Sequence, residues 1–122
     1  MESPSPYDRL HTSLDELERA SLENVARSNE IRRRLDVIRE GLARGERLSD
    51  IVRAQPLPTT VELISTNIEV LQTIGAQLRT AHAQTLRSEG MTIAAIAELY
   101  GVTRQRVSAL LKQKSAFETP GA

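Results

Sequence analysis

Apolar side chains recur along this chain at three- and four-residue spacing, the period of helices that each bury one stripe. The first stripe runs through Leu10, Leu14, Leu17, Ile31, Leu35, Ile38 and Leu42. The same register puts Ser21, Asn24 and Ser28 in its middle, with Leu22 and Val25 one position off. Either the seam shifts face there or it has a polar centre, which fixes register at some cost in stability; the pattern leaves both open. Ser13-Leu14-Asp15-Glu16 has the spacing of a capping box and predicts a helix start, and Gly45 predicts its end. Residues 48–54 suit a short helix, capped by Ser49 or by nothing. Gln55-Pro56-Leu57-Pro58 is a stiff break, because each proline removes a donor and biases its predecessor away from helix.

Thr59-Thr60-Val61-Glu62 is a second capping box. The helix it opens is expected to reach about Arg87, with Val61, Ile64, Ile68, Leu71, Ile74, Leu78, Ala81 and Leu86 along one side. Gly75 inside it costs roughly 1 kcal/mol relative to alanine, and close packing at that point is the preferred reason for it over a kink. Ser88-Glu89-Gly90 closes this helix, with Gly90 suited to a left-handed C-cap.

The pattern therefore predicts an all-α chain. Residues 1–9 are expected to form a disordered tip and residues 10–78 a long helical hairpin, a dimerisation bundle or coiled coil. Two helices cannot cover the stripes of such a hairpin, whereas four from two chains can. A homodimer is expected, with Leu14, Leu17, Ile31, Leu35, Ile38, Leu42, Ile64, Ile68 and Leu71 at its interface. Residues 115–122 are expected to be a flexible tail.

Residues 92–112 carry a different pattern: two short helices around a glycine. Thr92 can cap the first helix, Ile93 and Ile96 bury one face, and Ala97 is small where a second helix crosses. Gly101 stands where a tight turn needs positive φ. Val102 plugs the angle, Thr103 caps the next helix, and Val107 with Leu110 face inward. Arg104, Gln105, Ser108 and Lys112 are left outward, with Arg106 on a neighbouring flank. Arginine forks onto guanine O6 and N7, and glutamine onto adenine N6 and N7. Thr103 and Lys112, at the helix ends, suit phosphates.

Ile96-Ala97, Gly101-Val102, Val107 and Leu110 match the helix-turn-helix signature. The segment from Ile96 through Val107 resembles the promoter-reading module of sigma factors and the C-terminal module of resolvases and DNA invertases. The resemblance covers about a quarter of the chain, roughly residues 80–114, and does not extend to residues 1–77. It implies a DNA-binding domain over 79–114 that inserts residues 103–112 into the major groove of double-stranded DNA. Thr92, Thr103, Arg104, Gln105, Arg106, Ser108 and Lys112 are the expected DNA-binding residues.

Charge adds to this picture only through its distribution. Sixteen basic and sixteen acidic residues cancel over the 122-residue chain. From residue 79 to 114, however, Arg79, Arg87, Arg104, Arg106, Lys112 and Lys114 face only Glu89 and Glu98. The positive excess lies where a duplex-binding module needs it. Arg32-Arg33-Arg34 fans around a helix and, with Glu30, Asp36 and Glu40 nearby, reads as a solvated, ion-paired face.

Composition narrows the alternatives. Tyr7, Tyr100 and Phe117 are the only aromatics, which disfavours large aromatic-lined pockets and base-stacking platforms. With no cysteine, thiolate metal sites and disulfides are excluded. His11 and His82 lie far apart in sequence, and His82 has no carboxylate at helical spacing, so no metal site is expected; His82 reads as a buried or interface residue. No Gly-rich phosphate loop or catalytic constellation occurs, so no enzyme and no cofactor are expected. Residues 1–6 lack signal-peptide character and no apolar run suits a membrane span, so a soluble, cytoplasmic protein is expected. No residue set points to a small-molecule effector.

Overall fold

The computed structural model describes residues 4–113. Within them the chain is all-helical: α1 (Pro6–Ala43), α2 (Leu48–Ala54), α3 (Thr60–Ser88), α4 (Ile93–Tyr100) and α5 (Arg104–Lys112). None of these helices is long and apolar enough to cross a membrane. Packing divides the described residues into two units, one of 4–18 with 73–113 and one of 19–72. This differs from the expected boundary at residue 78, because the start of α1 joins the C-terminal elements. The Tyr7 hydroxyl donates to Glu89 Oε2 (2.7 Å), and the Thr85 hydroxyl donates to the Pro6 carbonyl (3.3 Å).

α1 begins seven residues before the expected cap at Ser13. Ser5 Oγ accepts from the Asp8 amide (3.1 Å), and the Ser5 amide donates back to Asp8 Oδ2 (3.2 Å). These are the reciprocal bonds of a capping box, with Pro6 at the first helical position, where its missing donor costs nothing. Residues 6–9 are thus helical, in place of the expected disordered tip, and Ser13 is interior. Its hydroxyl is buried and has no hydrogen-bond partner among the described residues. The expected tail, 115–122, and Lys114 lie outside the described residues.

In the unit of residues 19–72, α1 and α3 meet through polar groups. Arg27 Nε donates to Asn67 Oδ1 (2.9 Å), Asn67 Nδ2 to Ser28 Oγ (3.3 Å), and Ser28 Oγ to Asn24 Oδ1 (3.3 Å). The middle of the first seam is therefore a polar centre. Leu22 and Val25, which would have carried a shifted seam, are 67% and 59% exposed. On α3 it is Leu63 that is buried, while Val61, Ile64 and Ile68 lie in solvent.

The turn that joins these helices is held by a residue expected to be solvated. Arg34 is only 6% exposed. Its guanidinium donates to Glu30 Oε1 (3.1 Å) and to the Pro58 carbonyl, and its own carbonyl accepts from Gln55 Nε2 (3.5 Å). The cross-turn contact buries Arg34, whereas its neighbour Arg33 stays in solvent beside Glu30. Hydrogen bonds from Arg33 and then Arg34 hold the Glu30 carboxyl below its ordinary pKa. α2 starts after Arg47 with no side-chain cap, so Ser49 does not serve as one. α3 does start on its expected threonine, with the Glu62 amide donating to Thr59 Oγ1 (3.1 Å).

Close packing occurs at a different glycine from the expected one. A Cβ on Gly75 would meet only Arg79 Nη1, at an ordinary 3.5 Å, and α3 runs on through it. A Cβ on Gly41 would fall 2.7 Å from both Ile51 Cδ1 and Glu46 Oε2. There the bare backbone of α1 lets the α2 isoleucine approach.

Candidate nucleic-acid interface

The site is built on α4, α5 and the chain between them. Thr92 Oγ1 accepts from the Ala95 amide (3.1 Å) and Thr103 Oγ1 from the Arg106 amide (3.1 Å), so each helix is capped by its own threonine. Both were expected at the DNA, and both hydroxyl oxygens are engaged as caps. Gly101 sits at φ 68°, ψ 35°, in the left-handed region. Its amide donates to the Glu98 carbonyl (3.2 Å), and the Val102 amide to the Ala97 carbonyl (3.0 Å). This pair of bonds is the Schellman pattern, which ends α4 sharply and sets the direction of the chain into α5.

Ile96 and Val107, both 0% exposed, meet in the core between the two helices, with Ala97 small beside them. Leu86, Met91, Ile93, Tyr100 and Leu111 pack around this centre. α3 supports α5 from behind: the Thr80 hydroxyl donates to Gln113 Oε1 (2.9 Å), and Gln84 Nε2 to the Gln113 carbonyl (3.1 Å). Val102 departs from expectation. It is 40% exposed, so it lies at the edge of the helix pair and does not plug it.

Burying Val107 and Leu110 fixes which face of α5 looks outward. Arg104, Gln105, Ser108 and Lys112 line one shallow, open surface together with Ala109. Neither Arg104 nor Lys112 has an ion pair with any described residue, and no carboxylate lines that surface. The surface thus offers forked and single cationic donors, one amide and one hydroxyl along an exposed helix. Arg106 is not among them. It projects from the flank toward α3, where it lines a cleft with Arg79, His82 and Tyr100.

This cleft is the feature missed by sequence reasoning. It draws residues from α3, α4, α5 and the intervening turn, positions that no single periodicity connects. His82, read from the sequence as a buried or interface residue, is exposed: its Nδ1 lies in hydrogen-bonding contact with the Tyr100 hydroxyl, and the two rings are 5.5 Å apart at 40°. Burial pushes the Tyr100 phenol above its ordinary pKa.

The expected interface leucines and isoleucines are not gathered into one core. Leu14, Leu35, Leu42, Ile64, Ile68 and Leu71 are exposed, and Leu17, Ile31 and Ile38 are half-buried. Comparison with protein-family models, curated proteins and solved structures gives no match to this chain.

Proposed function

We propose that this protein binds double-stranded DNA through α4 and α5 acting as a helix-turn-helix, with α5 in the major groove. The observation that supports the reading most is the face of Arg104, Gln105, Ser108 and Lys112, free of carboxylates and presented by a capped helix on a closed core. Arg104 and Gln105, near the start of α5, read base edges, and Lys112 neutralises phosphate. The mechanism is binding, not catalysis, and it needs no cofactor. Its place is the compartment that holds the DNA, in line with a cytoplasmic protein.

The protein acts as a homodimeric transcriptional regulator in this proposal. Exposed Leu35, Leu42, Ile64 and Ile68 supply apolar area that a second copy would cover. Paired recognition helices then engage half-sites about one helical turn, or a multiple of it, apart. The same exposed apolar residues favour a second reading, a helical adaptor that docks a transcription protein and leaves DNA alone.

Fluorescence anisotropy against duplex DNA at several salt concentrations separates the two. The expected result is affinity that falls steeply with salt. Arg104→Ala should then cost about 1–3 kcal/mol on a selected site and relax its base preference. In sedimentation, Ile68→Glu should turn a dimer into a monomer that keeps its helix content. Affinity indifferent to salt and to Arg104→Ala would overturn DNA recognition and leave the adaptor reading.

A further inference from the structure

The cleft beside α5 has a volume of about 390 Å³. Its walls are the aliphatic side chains of Leu78, Val102 and Leu110 and the ring of Tyr100. Three basic side chains, Arg79, His82 and Arg106, complete the lining, and no carboxylate takes part. Arg79 and Arg106 form no ion pair with any described residue. Arg79 and Arg106 are both exposed, and together with the apolar walls of the cleft they favour a ligand that has an apolar body and an anionic group.

We propose that this cleft binds a small aromatic carboxylic acid. Arginine presents paired N–H donors in a planar fork that matches a carboxylate, which is why two arginines from different helices favour this group over a hydroxyl or an amine. The Tyr100 ring, with His82 tilted 40° beside it, supplies an aromatic surface for a planar body, and the leucines and valine add apolar contact. The volume lies near the lower end of the range for small-molecule pockets, roughly 300–1,000 Å³. That size suits one or two fused rings.

A DNA phosphate is a poorer occupant, because it has no apolar body to cover Leu78 and Leu110. The ligand would touch α3, the end of α4, the turn at Val102 and α5 at once. Its effect on DNA affinity rests on the function proposed above; its binding does not.

The test is a two-dimensional ¹H–¹⁵N NMR titration of the full chain with 1-naphthoate, 1-naphthylmethylamine and inorganic phosphate. The expected result is saturable binding of naphthoate, with shifts centred on Leu78, His82, Tyr100 and Val102. Naphthoate should bind at least ten times more tightly than the amine, and phosphate alone should bind far more weakly. Arg79→Glu should lower naphthoate affinity tenfold or more and raise that of the amine, while the Ile96 and Val107 resonances stay in place. Equal affinity for acid and amine, shifts scattered over the chain, or phosphate binding as strong as naphthoate would each overturn the proposal. So would an Arg79→Glu protein that keeps its naphthoate affinity. No DNA enters the titration, so loss of this site and loss of the DNA-binding reading are separate results.

Discussion

Ile96 and Val107 are fully withdrawn from water at the centre of α4 and α5, surrounded by Leu86, Met91, Ile93, Tyr100 and Leu111. In residues 19–72 the groups in the corresponding place between helices are Arg27, Asn67, Ser28 and Asn24, while Leu35, Leu42, Ile64 and Ile68 stand outside. The first arrangement gains the full transfer free energy of its side chains, about 1.5–3 kcal/mol for each large one. The second gains register from directional bonds, each worth only about 0.5–1.5 kcal/mol net. A short sequence thus contains one unit that closes on an apolar centre and one whose buried apolar side chains are only Ala20, Ile51 and Leu63, while most of its larger apolar residues contribute little until something covers them.

Truncation at matched positions sharpens this contrast most. Ile96→Ala should destabilise the protein by about 2–5 kcal/mol. Ile68→Ala, at a concentration where the protein is monomeric, should change stability by no more than about 0.5 kcal/mol. Urea unfolding followed by circular dichroism measures both, and equal losses would erase the distinction between the units.

A smaller effect separates Arg34 from Arg33. Arg34→Ala leaves the Pro58 carbonyl and Glu30 without their buried donor and should cost about 1–3 kcal/mol. Arg33→Ala, on the exposed side, should stay within about 0.5 kcal/mol. Hydrogen exchange at the amides of residues 59–63 gives the local readout, with faster exchange expected in the Arg34 variant alone.

The smallest effect is a pH dependence. Because Glu30 is held below its ordinary pKa, its contribution is fully present above the ordinary carboxylate range. It is lost as pH falls through the lowered value. Glu30→Gln should therefore flatten part of the acid limb in a plot of stability against pH and leave the alkaline side unchanged. An identical acid limb in the variant would show that the Arg33 and Arg34 bonds do not survive in solution.

The helices and turns of this fold were legible in the sequence wherever the deciding interaction is local. Thr59, Thr92 and Thr103 cap as expected, and Gly45, Gly90 and Gly101 all take the positive φ that their turns need. The inward positions Ile96, Ala97, Val107 and Leu110 follow from spacing alone. The start of α1 is where the sequence misleads: the Ser13 box predicts its cap and residues 1–9 read as disordered, whereas Ser5 and Asp8 exchange the bonds that start the helix. Arg34 was misjudged because its burial depends on Pro58, across a turn. The cleft went unseen because Leu78, His82, Tyr100 and Arg106 come from three separate helices. For the outward face of α5, spacing put Arg104, Gln105, Ser108 and Lys112 together, and they share one surface; Arg106, expected with them as a DNA-binding residue but on a neighbouring flank, lines the cleft instead.

The bond between Tyr7 and Glu89 has a kinetic meaning. Its partners are separated by 82 residues, and those of the companion contact from Thr85 to Pro6 by 79. The core of α4 and α5, by contrast, joins residues that are sequence neighbours, and the turn at Gly101 holds them together as soon as its two amide bonds form. Local contacts of this kind form on fast timescales, while closing a long loop must await the ordering of what lies between. The first turn of α1 should therefore dock after the C-terminal helices have closed on Ile96 and Val107, and its amides should exchange faster than theirs.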